Sequence, residues 1–263
     1  MARFCPLFSG SAGNSIYIGN SDGGILVDIG KSAKQTEAAL FNIGVDPDSI
    51  NAVFVTHEHS DHISGVRVFA SKHHSKVYAT GGTLSVLEAN GVLNGRFKYE
   101  EISENGNEAG SLFITAFKTS HDSADSCGYK IDCSDSRKIA VATDLGEMTD
   151  EVMETIIGCD LVLLESNHDV MMLQNGPYPY PLKQRILGRC GHLSNECCAQ
   201  AAVKLIENGT TRLFLGHLSR ENNLPQLAFQ TTYSALSECG AKENVDYILK
   251  VAQPVCNERV TVL

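Results

Sequence analysis

Three imidazoles and the Asp61 carboxylate crowd into the hexapeptide His57-Glu58-His59-Ser60-Asp61-His62. It directly follows Asn51-Ala52-Val53-Phe54-Val55-Thr56, an apolar run rich in β-branched and aromatic residues that reads as a buried strand. The cluster therefore falls where a strand ends and the chain turns into Ile63-Ser64-Gly65. His57 and His59, two positions apart, can face one metal ion, while Asp61 and His62, on the turn, can face a second. Imidazole and carboxylate are ligands that suit Zn²⁺, Mn²⁺ or Fe. Two divalent metal ions are the expected cofactors, Zn or Mn, with Fe also compatible with this donor set.

Such ligands need a rigid scaffold. Strand-like runs fall near 15–19, 25–29, 52–56, 76–79, 112–118, 127–132, 138–143, 160–165, 212–216 and 246–251. Helix-like runs fall near 32–43, 62–73, 82–90, 149–157, 193–208 and 226–238. The clearest helix is 193–208: Ser194 or Asn195 can cap it, Ala199, Ala202, Val203, Leu205 and Ile206 form an apolar stripe, and Gly209 suits its stop. No linker or 20–50-residue repeat divides the 263 residues, so a single domain over 1–263 is expected. No apolar run approaches the ~20 residues of a membrane span, and the N-terminus carries no signal-peptide pattern. Nine scattered cysteines without a C-x-x-C read as reduced thiols. Together these features imply a cytoplasmic protein that does not engage a membrane.

The H-x-H-x-D-H string is the signature of the metallo-β-lactamase superfamily, which the chain resembles along its whole length. The resemblance implies an α+β fold, a four-layer αββα sandwich, and a hydrolase. It also implies further site residues, each found in order at a strand end: Asp28 after Gly24-Ile25-Leu26-Val27, supporting the His turn without touching metal; His121; Asp144, bridging the ions; and His217. On this reading His57, His59 and His121 hold one ion, Asp61, His62 and His217 the other. A bridging Asp144 differs from several zinc β-lactamases, which use a Cys in that part of the site. His59 differs from the flavodiiron reductases, which carry a carboxylate there.

Gly191-His192-Leu193-Ser194-Asn195 is similar to the helix start of RNase Z-type phosphodiesterases, where the His assists the leaving group. A helix N-terminus also attracts phosphate, which makes Ser194 and Asn195 expected substrate contacts. The resemblance narrows to the YycJ/WalJ family on Phe8-Ser9-Gly10-Ser11-Ala12-Gly13-Asn14-Ser15, Leu164-Glu165-Ser166-Asn167-His168-Asp169, Gly176-Pro177-Tyr178-Pro179, Leu182-Lys183-Gln184-Arg185-Ile186 and Gly216-His217-Leu218-Ser219. It implies a nuclease acting on DNA from 5′ to 3′, with Asp61 and His192 as the catalytic residues. Glu165 and His168 are expected as a supporting pair.

Charge alone does not announce a nucleic-acid partner. The net charge is −10, the opposite of a basic footprint. The segment 169–191 offers Tyr178, Tyr180, Lys183, Arg185 and Arg189, which could hold phosphates and stack bases, or belong to an ordinary lid. Lys183 and Arg185 are the expected substrate contacts there. Ser9–Asn14 resembles a phosphate-cradling loop in composition but lacks a Walker Lys, and a hairpin turn near the metals suits it equally. A nucleic-acid substrate, DNA in the first instance, is the expected partner, with a homodimer also admitted. The alternatives are a small-molecule cyclic phosphodiesterase, a glyoxalase II-like thioesterase, or a non-catalytic module on the same fold.

Overall fold

The computed structural model describes residues 1–257 and 259–263 and divides them into two compact units. The first comprises 1–116, 123–137 and 253–263; the second comprises 117–122 and 138–252.

The first unit opens with β1 (Arg3–Phe8), β2 (Ser15–Asn20) and β3 (Gly23–Val27), followed by α1 (Ala33–Asn42) and β4 (Ile50–Phe54). Next come α2 (Ser60–Ile63), α3 (Val66–His73), β5 (Lys76–Ala79), α4 (Gly81–Ala89) and β6 (Tyr99–Glu101). These strands form one sheet in order β1 to β6, with the closing strand Thr261–Val262 outside β1. Pairing is antiparallel from β1 to β3 and parallel from β3 to β6. Ile25, Leu26, Val27, Val53 and Phe54 are all buried, as expected of central parallel strands covered on both faces. One face packs on Leu40 of α1 and Val66 and Phe69 of α3. Beyond the sheet lie β7 (Asn107–Ala109), β8 (Leu112–Lys118), along which the chain passes to the second unit, and β9 (Cys127–Cys133). Phe54 stacks on Tyr78 at 4.9 Å and meets Tyr129 edge-on at 5.5 Å. The Tyr129 hydroxyl donates to the Val55 carbonyl at 2.6 Å, fixing the end of the strand from which the His turn departs.

The single helix expected over 62–73 is two. The Gly65 N–H donates to the Ile29 carbonyl at 2.9 Å, and a Cβ at Gly65 would collide with the Lys31 carbonyl. A tertiary hydrogen bond thus takes the donor that a continuous helix would use, leaving α2 as one short turn carrying Asp61 and His62.

In the second unit β10 (Lys138–Ala142), β11 (Leu161–Glu165), β12 (Arg212–Gly216) and β13 (Ile248–Val251) pair in parallel in that order. Five helices accompany them: α5 (Asp150–Ile156), α6 (Val170–Asn175), α7 (Tyr180–Leu187), α8 (Asn195–Glu207) and α9 (Pro225–Glu238). Every residue of β11 is buried. Leu164, Leu213 and Leu215 pack with Ala202 and Leu205 of α8 and Leu236 of α9; full burial of each large side chain contributes about 1.5–3 kcal/mol. Ser194 caps α8 by accepting the Cys197 N–H, and Gly209 follows its end at φ 98°. The 169–191 segment contains two short helices, α6 capped by Asp169 and α7 entered through Pro179, separated by the Gly-Pro break at 176–177. The architecture is α+β, two mixed sheets flanked by helices, as the αββα expectation requires. Among the described residues no helix is long and apolar enough to cross a membrane.

Candidate metal centre

In the first unit the His turn is wired from behind. Asp28 follows β3 at φ 60° and is fully buried. Its Oδ1 accepts the Thr56 N–H at 2.8 Å; its Oδ2 accepts the Thr56 hydroxyl at 2.8 Å and His62 Nδ1 at 2.7 Å. Burial pushes the Asp28 carboxyl up from its ordinary range, and the His62 and Thr56 donors oppose that shift. Because the Thr56 hydroxyl proton is committed to Asp28, its oxygen accepts from His57 Nδ1 at 3.0 Å. Both rings therefore carry the proton on Nδ1 and present Nε2 as a lone pair. The His57 ring lies 4.5 Å from that of His59 and 4.2 Å from that of His62.

Asn14 is a site residue beyond the set expected from the motif. Its amide nitrogen lies 3.0 Å from His62 Nε2 and 3.3 Å from Asp61 Oδ2. Its backbone N–H donates to the Asp61 carbonyl at 2.8 Å, its carbonyl accepts the Gly30 N–H at 2.7 Å, and its side-chain oxygen accepts the Gly10 N–H at 2.9 Å. The Ser9–Asn14 turn is thus a clamp on the His turn. The signal in the sequence is the Gly10 and Gly13 pair, both at positive φ, placing an amide after a strand.

In the second unit the organiser is Glu165, buried at the end of β11. Its Oε1 accepts His192 Nδ1 at 2.9 Å and His217 Nδ1 at 2.8 Å. Its Oε2 accepts the N–H groups of Leu145 at 2.7 Å and Leu193 at 3.1 Å. Burial alone would push this carboxyl up; the His192 and His217 rings outweigh it and hold it lowered to about 2. Asp144 Oδ1 lies 3.5 Å from His217 Nδ1 and 3.7 Å from both His192 Nδ1 and His121 Nε2. His121 Nδ1 donates to the Gly191 carbonyl at 3.0 Å, and burial lowers its basicity against the opposing pull of Asp144. Donor atoms of Asp144, Glu165, His192 and His217 lie within 4.8 Å of one another.

Four imidazoles, those of His57, His62, His121 and His217, share one arrangement. Each engages Nδ1 with a hydroxyl, carboxylate or carbonyl, which puts the ring's lone pair on Nε2; that of His62 meets the Asn14 amide nitrogen at 3.0 Å. Metal-binding histidines are held in this way, with the second nitrogen fixing tautomer and ring orientation. Asp61 lies on the turn that carries His62, and Asp144 lies within 4 Å of His121 and His217, so each unit presents donors of a kind that suits a divalent metal.

Other expected residues lie elsewhere. The Glu165–His168 pair does not form, because residues three apart in an extended run face opposite sides. His168 is 1% exposed, and neither ring nitrogen has a hydrogen-bond partner. Each such group costs ~1–3 kcal/mol. Ser194 is the helix cap. Asn195, expected against substrate, is fully buried and exchanges amide hydrogen bonds with Asn223 at 2.9 Å while accepting from the Ser166 hydroxyl at 2.7 Å. Lys183 donates to the Gln174 carbonyl at 2.8 Å, Arg185 forms a fork with Asp122, and Arg189 forms one with Glu147 at 2.9 and 3.0 Å.

The β-lactamase superfamily domain model matches residues 24–218. Exodeoxyribonuclease WalJ of Streptococcus pneumoniae is 37% identical over 249 residues, covering 93% of this chain and 92% of that protein. The chain belongs to the metallo-β-lactamase superfamily, within the WalJ/YycJ family. Exodeoxyribonuclease YycJ of Bacillus anthracis is likewise 37% identical, over 239 residues and 90% of each chain. In fold, this chain is similar to the metallo-β-lactamase fold protein YhfI of Bacillus subtilis, with a TM-score of 0.74 at 17% identity over the whole of both chains.

Proposed function

We propose that this protein is a metal-dependent phosphodiesterase that removes nucleotides from DNA in the 5′-to-3′ direction, acting as one hydrolase domain over residues 1–263. The observation that carries the reading is the double duty of Glu165, which orients a metal-ligand histidine and a second, partly exposed histidine from one oxygen. The exodeoxyribonuclease relatives supply the substrate class.

His57, His59, Asp61 and His62 of the first unit and His121, Asp144 and His217 of the second are the residues that would hold the divalent ions. When bound, such ions polarise phosphoryl oxygens and make water a stronger nucleophile. The chain's own groups do the rest. Thr56 and Asp28 keep Nε2 of His57 and His62 free of protons, and Asn14 steadies the Asp61 carboxylate, which on this reading takes up the proton of the attacking water. His192, anchored through Nδ1, delivers a proton from Nε2 to the departing oxygen. Arg185 and Arg189 form exposed ion pairs that water and salt screen, so exchange of Asp122 or Glu147 for a DNA phosphate costs little. The scattered thiols suit a reducing cytoplasm.

The test is hydrolysis of 5′- and 3′-labelled single- and double-stranded DNA and RNA by chelated protein resupplied with Zn²⁺, Mn²⁺ or Fe²⁺. A thioester and a cyclic nucleotide are run in parallel, and sedimentation reports whether the active species is a homodimer. Stepwise release from the 5′ end of DNA, dependent on metal, is the expected result. Turnover confined to the thioester or cyclic nucleotide overturns the reading.

A further inference from the structure

At the start of α8 the second unit contains a cavity of ≈ 420 Å³ whose wall includes His168, His192 and Ser194. It meets the size and composition of a small-ligand site, mostly apolar with a few convergent polar groups. Met148, Met153 and Leu193 supply apolar surface; Gln200 and Lys204 supply polar groups along α8. Its least explained feature is the His168 ring, 1% exposed and with both nitrogens unpartnered. Buried imidazoles are ordinarily hydrogen-bonded, and one that is not, on the wall of a cavity, calls for a ligand. Its backbone is rigid: the His168 carbonyl accepts the Asn195 N–H at 2.9 Å in a short bridge to Ser194.

Resting on the nuclease reading above, we propose that this cavity seats the terminal nucleotide of the substrate strand, with the base against Met148 and Met153 and its polar edge on His168. Burial keeps the His168 imidazole neutral against the opposing pull of Glu165, so it offers one N–H and one lone pair. A nucleobase edge carries the complementary donors and acceptors, and its flat faces suit thioether walls. Lys204 supplies a cation for the attached phosphate. His192 lines the same cavity, so a strand seated this way brings its first internucleotide linkage to the proton donor. One-nucleotide register then follows from the cavity, with no separate measuring element required.

Cys197 lines the cavity and is exposed, whereas the exposed Cys239 lies outside it, which provides a reporter and an internal control. The metal-loaded protein is treated with a maleimide, and labelling at each cysteine is followed by peptide mass spectrometry. Deoxynucleoside 5′-monophosphates at millimolar concentration are expected to slow labelling of Cys197 at least fivefold and leave Cys239 unchanged. Deoxyribose 5-phosphate, which lacks the base, is expected to give no protection, and His168→Phe to lose the protection given by the nucleotides. Equal protection by deoxyribose 5-phosphate, or none by any nucleotide, overturns the proposal on the unmodified protein alone. DNA hydrolysis measured on the same preparation separates the two readings. Hydrolysis without protection removes the cavity and keeps the nuclease; protection without hydrolysis does the reverse.

Discussion

Replacing Glu165 by Gln and by Ala should invert the usual link between stability and metal binding. Two of the four donors on Glu165 are backbone N–H groups, of Leu145 and Leu193, which cannot reverse; the other two are imidazole nitrogens, which can. In Glu165→Gln the amide oxygen therefore stays with the backbone and the NH₂ group turns to His192 and His217. Both rings must then accept at Nδ1 and carry their proton on Nε2, which removes the lone pair that His217 would offer to metal. Metal-free Glu165→Gln should lose about 2 kcal/mol, from two hydrogen bonds weakened by the loss of charge. Glu165→Ala leaves both backbone donors buried and unmatched, a loss of about 2–6 kcal/mol, but frees His217 to choose its tautomer. The expected order is thus Gln above Ala in stability and Ala above Gln in metal affinity. Against wild type, Gln should bind metal at least 10–100-fold more weakly, the range for losing the partner that orients a ligand. Thermal unfolding of chelated protein and metal titration of each variant measure the two quantities. Metal affinity that simply follows stability, or wild-type affinity in Glu165→Gln, refutes the tautomer argument.

Three further outcomes are expected. Asp61→Ala should lose bound metal and hydrolysis together; retention of both metals at near-wild-type rate, by elemental analysis and turnover, removes Asp61 from the site. His192→Ala should keep its metal content while turnover falls about 10²–10⁴-fold, whereas loss of metal or an unchanged rate rejects the proton-donor role. Changing Lys183, Arg185 and Arg189 together to Gln should weaken DNA binding and flatten its log–log salt dependence by ~0.7 per lost single-strand phosphate contact, while a nitrophenyl phosphodiester is still cleaved. An unchanged salt slope reduces the 169–191 segment to a lid.

The His57–His62 turn is legible in the sequence because ligand-type residues and a strand end coincide within a few positions. Long-range partners are not. Asn14 reaches residues 47 and 48 positions away, and only the fold brings the Ser9–Asn14 turn onto Asp61 and His62. The break in the 62–73 helix has the same origin, since the Ile29 carbonyl that captures the Gly65 N–H leaves no local trace. The helices α6 and α7 are short and flank a Gly-Pro break, so their periodicity is too brief to register. Asn195 shows the limit of motif reasoning: its neighbour Ser194 caps the helix, yet one position on, the side chain turns inward to Asn223. A motif gives residue types in order; which face each one takes is decided by packing.

Asp28, Asp144 and His217 are joined by a backbone property that no motif states. Each lies just beyond a buried strand and each has positive φ, at 60°, 57° and 55°. The left-handed region costs an ordinary L-residue about 1–2 kcal/mol and is entered chiefly by Gly, with Asn, Asp and His the side chains that follow. A gentler exit from the strand would relieve that strain but carry the side chain along the strand axis. The sharp corner instead stops the chain within one or two residues of the strand end, where the parallel ladder holds the backbone most firmly. Asp28 can then reach the N–H and hydroxyl of Thr56, and His217 the oxygen that Glu165 presents from the adjacent strand. The strain is local, whereas the ladders that sustain it run through buried Leu26, Val141 and Leu215. Strand-end position and left-handed backbone are therefore shared by Asp28, which orients the His turn, and by Asp144 and His217, and they set acidic and imidazole side chains at corners that glycine also favours.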